Sequence, residues 1–346
     1  MKSILITGGT GFLGVHLARF FIKKKYQVIL LDTAELTAKD LFGKVKVVNE
    51  DIRNFSKIEK TFKNVDFVVH AAAALPIHHD RKYILDVNVE GTRSVLKSAL
   101  KNKVKKLVFI SSTAMYGVPR SLPEKETDKI YPIGHYGESK AAAEKLCFQY
   151  EKKGLHLNIL RPKSFLGPER LGVFTIWFEA IYNNKPVFIL GNGNNLYQLL
   201  EVGDLINAIE SALTTRISGE IFNIGASEFG TWRQNLSALI KFAGSKSKIV
   251  ALPVMPTQVA LSILEFFNLS PIVAWHYKTF PVDSYVSIDK AKKKLHFNPT
   301  KSNQDILNES YDWYQKHRKE FIGKQGTTHR TVWNFKLVDL AQKLFK

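Results

Sequence analysis

The chain has 346 residues, 45% of them apolar and 23% charged, a globular balance that excludes a disordered or fibrous protein. With 50 Lys and Arg against 31 Asp and Glu, its formal net charge is +19. That excess favours an anionic partner such as a phosphorylated small molecule, nucleic acid or an acidic membrane surface. The one cysteine, Cys147, excludes an internal disulfide framework and a cysteine-rich zinc site, and fits a reducing, cytoplasmic compartment.

The apolar stretch before the first glycines is only Ile4-Leu5-Ile6, which reads as a buried strand and not a secretory leader. Short apolar runs then alternate with amphipathic stretches. The pattern predicts strands over 3–7, 27–32, 45–49, 67–70, 106–111 and 157–161, and helices over 11–24, 56–62, 84–101 and 136–152. Near-continuous apolar strands such as Val28-Ile29-Leu30-Leu31 and Leu107-Val108-Phe109-Ile110 imply burial on both faces. Strand–helix repetition of this kind gives an α/β fold: a doubly wound parallel sheet of Rossmann type with right-handed crossovers. After Pro162 the regularity breaks. Gly167-Pro168 and Gly191-Asn192-Gly193 mark loops, a strand over 221–224 returns to the sheet, and 226–300 reads as a smaller lobe.

The expected division is a dinucleotide-binding domain over 1–165, a mainly substrate-binding α/β lobe over 166–330, and an amphipathic helix over 331–346. The stretch 251–275 carries only Glu265 as a charge, but Pro253, Pro256 and Pro271 interrupt it. It reads as a buried or membrane-touching helix over 257–268, not a membrane span. In the tail, apolar residues at 333, 337, 340, 341 and 344 share one helical face. That face either docks on the body or makes a peripheral contact with a membrane or partner.

Gly8, Thr10, Gly11, Phe12, Leu13 and Gly14 follow the first strand directly and open a helix. Gly8 permits a tight turn, Gly11 lets a pyrophosphate approach the backbone, and Gly14 lets helix and strand pack closely. The helix N-terminus presents unpaired N–H groups to the phosphates. Asp32 ends the second strand, where a carboxylate accepts both ribose hydroxyls and repels a 2′-phosphate. The expected cofactor is therefore NAD, not NADP. Asp51 and Ile52 after the third strand suit an adenine edge and face.

These motifs, with His70-Ala71-Ala72-Ala73, Asn88-Val89-Glu90-Gly91-Thr92, Ser111–Gly117 and Tyr136-Gly137-Glu138-Ser139-Lys140, resemble in order those of the extended short-chain dehydrogenases/reductases, in the epimerase/dehydratase branch. The resemblance implies a NAD-dependent enzyme. The residues carry the chemistry on their own terms. Tyr136 and Lys140 stand four apart, on one helical face. A nearby ammonium lowers a phenol's pKa, so Tyr136 is the expected general acid/base and Lys140 its electrostatic partner, which can also hold the nicotinamide ribose. Ser112 is the expected oxyanion partner. Ala71, Ala72 and Ala73 let the cofactor lie against the sheet edge. The resemblance assigns Asn88 to organising the central helix and the Pro162 backbone to the nicotinamide. No metal site and no nucleic-acid module is expected.

Two departures from the family pattern narrow the reaction. Where dehydratases and decarboxylases carry acids, this chain has Thr113 and Ala114, leaving epimerisation or simple oxidation–reduction. Where nucleotide-sugar members clamp a diphosphate with two arginines, it has Tyr197 and the arginine-free stretch Thr279-Phe280-Pro281-Val282-Asp283, with Lys278 close by and Arg170 and Arg233 as the candidates to substitute from elsewhere. Thr113, Lys163, Ser164, Phe165 and Tyr197 are the expected substrate contacts. The leading expectation is a nucleotide-sugar 4-epimerase. The alternatives are a dehydrogenase/reductase of a non-nucleotide alcohol or ketone, sterol-like compounds included, and a non-catalytic NAD-binding scaffold. The resemblance further implies a homodimer formed by the helices over 84–101 and 136–152.

Overall fold

A computed structural model describes residues 1–321 apart from His79, Asn268 and Pro271. The predicted 331–346 helix lies outside the described residues. Strands β1 (Ser3–Thr7), β2 (Gln27–Asp32), β3 (Lys46–Asn49), β4 (Phe67–His70), β5 (Lys106–Ile110) and β6 (Leu157–Pro162) join strand Glu220–Ile224 in one seven-stranded sheet. Its order is Glu220–Ile224, β6, β5, β4, β1, β2, β3, and every pairing is parallel. The order reverses between β1 and β4, so a crevice opens at the carboxyl ends of those strands.

Hydrophobic burial explains this arrangement. The β1 side chains are all buried, and alternate residues feed two cores. Ile4 and Ile6 face one that includes Phe12, Leu17 and Phe21 of helix α1 (Phe12–Lys23), together with Leu205 and Ile209. Leu5 faces the other, with Val95, Leu96 and Cys147. Both faces of the sheet are thus covered, as the continuous apolar runs require. Helix Val202–Thr214 and the stretch around Val286, Ile288 and Leu295 also pack on the sheet. The chain after 166 therefore helps to cover this face of the sheet. A third core gathers Phe178, Tyr197, Trp232, Leu236 and Tyr311.

Two elements differ from the sequence expectation. The stretch 84–101 is not one helix. Helix Arg81–Leu85 passes through a π-helical turn, Asp86–Gly91, into helix Thr92–Lys101. The Thr92 hydroxyl donates to the Asn88 carbonyl at 2.7 Å. A Cβ on Gly91 would stand 2.5 Å from Ile52 Cδ1, so close packing holds the irregular turn in place. Helix Val254–Phe266 contains no buried residue, which overturns burial as its role. Met255, Val259, Ile263 and Phe266 form an exposed apolar stripe at helical spacing. Among the described residues no helix is long and apolar enough to cross a membrane.

Candidate active site

The loop after β1 turns at Gly8 with φ 68°. A Cβ there would lie 2.9 Å from the Ala72 nitrogen, so the small residues ending β4 fit directly beneath the turn. A Cβ on Gly14 would meet the Gly8 and Gly9 carbonyl oxygens at 2.4 and 2.5 Å, so the first turn of α1 presses on the loop. Gly9 also has no room for a side chain, with Leu30 Cβ only 2.7 Å away. Sequence reasoning passed over Gly9, although its place in the glycine run was the available signal. At Gly11 a Cβ would meet only the Gly8 carbonyl oxygen. No side chain caps the N-terminus of α1, so its first amides face this glycine cradle. The cradle fits the diphosphate of a dinucleotide.

Asp32 sits at the rim of the cradle. Its Oδ2 accepts from the Thr10 backbone at 3.0 Å and its Oδ1 from Ala34 N at 3.1 Å. Asp51 is clasped by Arg53, whose Nε lies 3.0 Å from each carboxylate oxygen. That contact holds the Asp51 carboxyl below its ordinary value. Arg53 was not anticipated, although a basic residue two positions after an aspartate can be read from sequence. The Ile52 side chain is buried against Gly91. Phe12 and Leu13 are buried at the start of α1.

A chain of oriented hydrogen bonds lies under the cradle. Ala72 N donates to Thr7 Oγ1 at 3.2 Å, and Thr7 Oγ1 contacts His70 Nδ1 at 2.7 Å. His70 Nε2 contacts Thr92 Oγ1 at 2.9 Å. Thr92 gives its proton to the Asn88 carbonyl, so Nε2 carries the His70 proton. Burial pushes the His70 pKa down to about 3, which keeps the ring neutral.

Asn88 is buried and its side-chain amide is fully engaged. Oδ1 accepts from Ala74 N at 2.7 Å, and Nδ2 donates to Ala74 O at 3.1 Å and to Ser139 Oγ at 2.9 Å. This places Asn88 as a brace between the end of β4 and the central helix, Gly134–Glu151. Ala71, Ala72 and Ala73 lie half-buried beside it.

The central helix and the β5 end bring Ser112, Tyr136 and Lys140 together. Ser112 caps a 3₁₀ turn, accepting from Ala114 N at 3.1 Å. Its hydroxyl also reaches the Tyr136 phenol. Lys140 Nζ donates to the Ile110 carbonyl at 2.9 Å and lies 5.9 Å from the centre of the Tyr136 ring. Burial holds Tyr136 up, at about 12, opposed by the Ser112 hydroxyl and the charge of Arg170. Burial likewise pushes Lys140 down to about 8. Seven residues after Lys140, two turns along the helix, Cys147 is a buried free thiol whose pKa burial raises. It is not poised as a nucleophile.

The expected substrate contacts lie in adjoining segments, each engaged in contacts within the protein. Thr113 Oγ1 donates to the Pro162 carbonyl at 3.3 Å. Lys163 is buried, donating to Ser284 Oγ at 2.7 Å, with its Nζ 4.8 Å from the Tyr197 ring centre. Burial lowers Lys163 to about 8 and raises its neighbour Glu124 to about 7. Neither Glu124 nor Ser284 was foreseen, since 121 residues separate Lys163 from Ser284. Ser164 Oγ lies 3.1 Å from Tyr197 OH, and Phe165 stacks on Phe12 at 5.9 Å. Tyr197 itself packs in an aromatic cluster, 4.4 Å from the Trp232 ring. Asp283 Oδ1 accepts from Leu196 N at 2.6 Å, which joins the two loops where the arginine pair would stand. Arg233 bonds the Asn192 carbonyl on the exposed rim. Arg170, in contrast, is buried beside Phe12 and Phe165. His78 packs on Tyr83, and the described residues contain no cluster suited to a metal ion.

A family model described as the NAD dependent epimerase/dehydratase family matches residues 4–225. The chain belongs to that family. Its members are NAD-dependent enzymes, and the glycine cradle with Asp32 fits that cofactor. An uncharacterized protein of Sinorhizobium fredii is 30% identical over 332 residues, covering 95% of this chain and 83% of the relative. A putative UDP-glucose 4-epimerase of Methanocaldococcus jannaschii is 36% identical over 234 residues, 64% of this chain and 76% of the relative. The solved UDP-glucose 4-epimerase of Thermotoga maritima, with UDP-glucose, superposes with a TM-score of 0.79 at 25% identity. It covers 92% of this chain and 100% of that one.

Proposed function

We propose that this family member is a nucleotide-sugar 4-epimerase. The observation that carries the reading is the meeting of Ser112, Tyr136 and Lys140 beside the Gly8–Gly14 cradle. NAD, when bound, accepts and returns a hydride. Tyr136 takes the proton of a secondary hydroxyl at its phenolic oxygen and later gives it back. Ser112 donates to the same substrate oxygen as charge develops there. Lys140, anchored on the Ile110 carbonyl, holds positive charge near the phenolate and offers a donor to the nicotinamide ribose. The pKa of about 12 for Tyr136 means that the phenolate forms when positive charge gathers around it.

The test begins with freshly purified protein. After denaturation, released NAD(H) and NADP(H) are quantified by mass spectrometry. Near one equivalent of NAD(H), with interconversion of UDP-glucose and UDP-galactose and no net NADH, is the expected result. Tyr136→Phe abolishes the interconversion. Steady NADH production from an alcohol overturns the reading in favour of a net dehydrogenase. That second reading draws support from Tyr197 and Asp283 at the loops where a diphosphate clamp would need arginines. An unchanged biological effect of Tyr136→Phe would leave only a scaffold.

The same reading includes a cytoplasmic homodimer that touches an anionic membrane peripherally. The net charge of +19 and the exposed Met255, Val259, Ile263 and Phe266 stripe support the membrane contact. Co-sedimentation with phosphatidylserine vesicles, lost in Phe266→Ser, tests it. Light scattering tests the dimer.

A further inference from the structure

We propose that Arg170 is an oxyanion receptor at the junction of the cofactor cradle and the Tyr136 site. The inference deepens the proposed function, because it names the group that a bound ligand presents there. Arg170 is only 7% exposed, and its Nε and Nη1 are buried without any hydrogen-bond partner. Orphaned donors on a buried guanidinium are costly unless something occupies them. The Nε–H points along one edge of the guanidinium and Nη1 carries its hydrogens toward the other edges, so donors on more than one edge are open to the oxygens of a phosphate or carboxylate.

The surroundings are built to present this group. The guanidinium carbon stands 5.2 Å from the Phe12 ring centre and 5.1 Å from that of Phe165. Phe12 is the first residue of α1, the helix whose N-terminus closes the glycine cradle. The loop bearing Arg170 is tied down along α1. His16 Nε2 bonds the Pro168 carbonyl at 3.0 Å, and Arg19 pairs with Glu169. Glu169 takes a left-handed backbone, φ 71°, which a non-glycine residue keeps only when its neighbours hold it. Arg170 and Tyr136 also sense each other's charge, so the receptor borders the reacting centre. Two ligand groups share the required chemistry: the diphosphate of the dinucleotide and the diphosphate of a sugar nucleotide. The contact with Phe12 favours the dinucleotide.

The experiment compares wild type, Arg170→Lys and Arg170→Met as full chains stripped of cofactor. Calorimetric titrations with NAD, ADP, adenosine and UDP are combined with thermal melts. At least tenfold weaker NAD and ADP binding in Arg170→Met, with adenosine unchanged, places the dinucleotide diphosphate on Arg170. Unchanged NAD with weaker UDP places the substrate diphosphate there. Either supports the receptor. Arg170→Lys keeps charge but loses the fork, so it recovers only part of the affinity. Without ligand, Arg170→Met melts at the same or a higher temperature than wild type, because no hydrogen bond is lost and the methionine side chain still packs on the Phe12 and Phe165 rings. Unchanged affinity for both NAD and UDP overturns the proposal, as does a lower melting temperature without ligand. NAD and ADP affinities do not depend on epimerase turnover, so failure of the proposed function is separately visible.

Discussion

The Asn88 amide nitrogen lies 2.9 Å from the Ser139 hydroxyl, which itself donates to the Tyr136 carbonyl at 2.7 Å. The π-helical turn therefore grips the helix that carries Tyr136 and Lys140. Asn88→Ala leaves the buried Ala74 amide and carbonyl without their partner, at a cost of about 1–3 kcal/mol per orphaned group. We expect reduced stability in urea and a kcat that falls more than KM rises. Steady-state kinetics with a denaturation curve check both.

Lys140 gives a pH dependence with a defined sign. Its folded pKa is about 8, against an ordinary 10.5. Between those values the unfolded chain binds more protons than the folded one, so stability rises with pH across that window. Lys140→Met lacks this rise. Wild type should gain on the order of 2–3 kcal/mol relative to the variant from pH 7.5 to pH 10.5. Urea unfolding of both proteins at the two pH values measures it. Equal differences at both would refute it.

The glycine cradle tolerates no methyl group at position 14. Gly14→Ala sets a Cβ against two carbonyl oxygens at 2.4 and 2.5 Å. The loop must shift, at about 1–3 kcal/mol, and the cradle opens. The variant should retain less than a tenth of the wild-type NAD content on purification, read by mass spectrometry of the denatured protein.

Arg161 and Glu144 form a buried pair at 2.6 Å, and Arg161 Nη1 also donates to Tyr116 OH at 2.8 Å. Glu144→Leu strands the guanidinium in the core and costs about 3–5 kcal/mol. Adding Arg161→Met should restore part of that loss, because both charges are then gone. The double-mutant cycle in guanidinium chloride decides it.

Much of the sheet and the cradle was legible because its signals are local. The continuous apolar runs place β1, β2 and β5. The glycine spacing places Gly8 and Gly14, and four-residue spacing joins Tyr136 to Lys140. What escaped depends on contacts between distant segments. The left-handed turn at Glu169 and its ion pair to α1 aim Arg170 inward, and neither is visible along the chain. The Lys163, Glu124 and Ser284 group draws on three separated segments. The periodicity of 84–101 reads as one helix, and only the contact between Gly91 and Ile52 shows why a π turn interrupts it.

Cys147 makes this chain a natural clock of its own opening. It is the single cysteine, sealed against the sheet on the helix that carries Lys140. A thiol reagent can modify it only when that helix lifts or the core parts. Labelling rates across denaturant concentrations would then resolve the breathing of this one layer from global unfolding. A ligand that pins the central helix would slow the clock without any engineered probe.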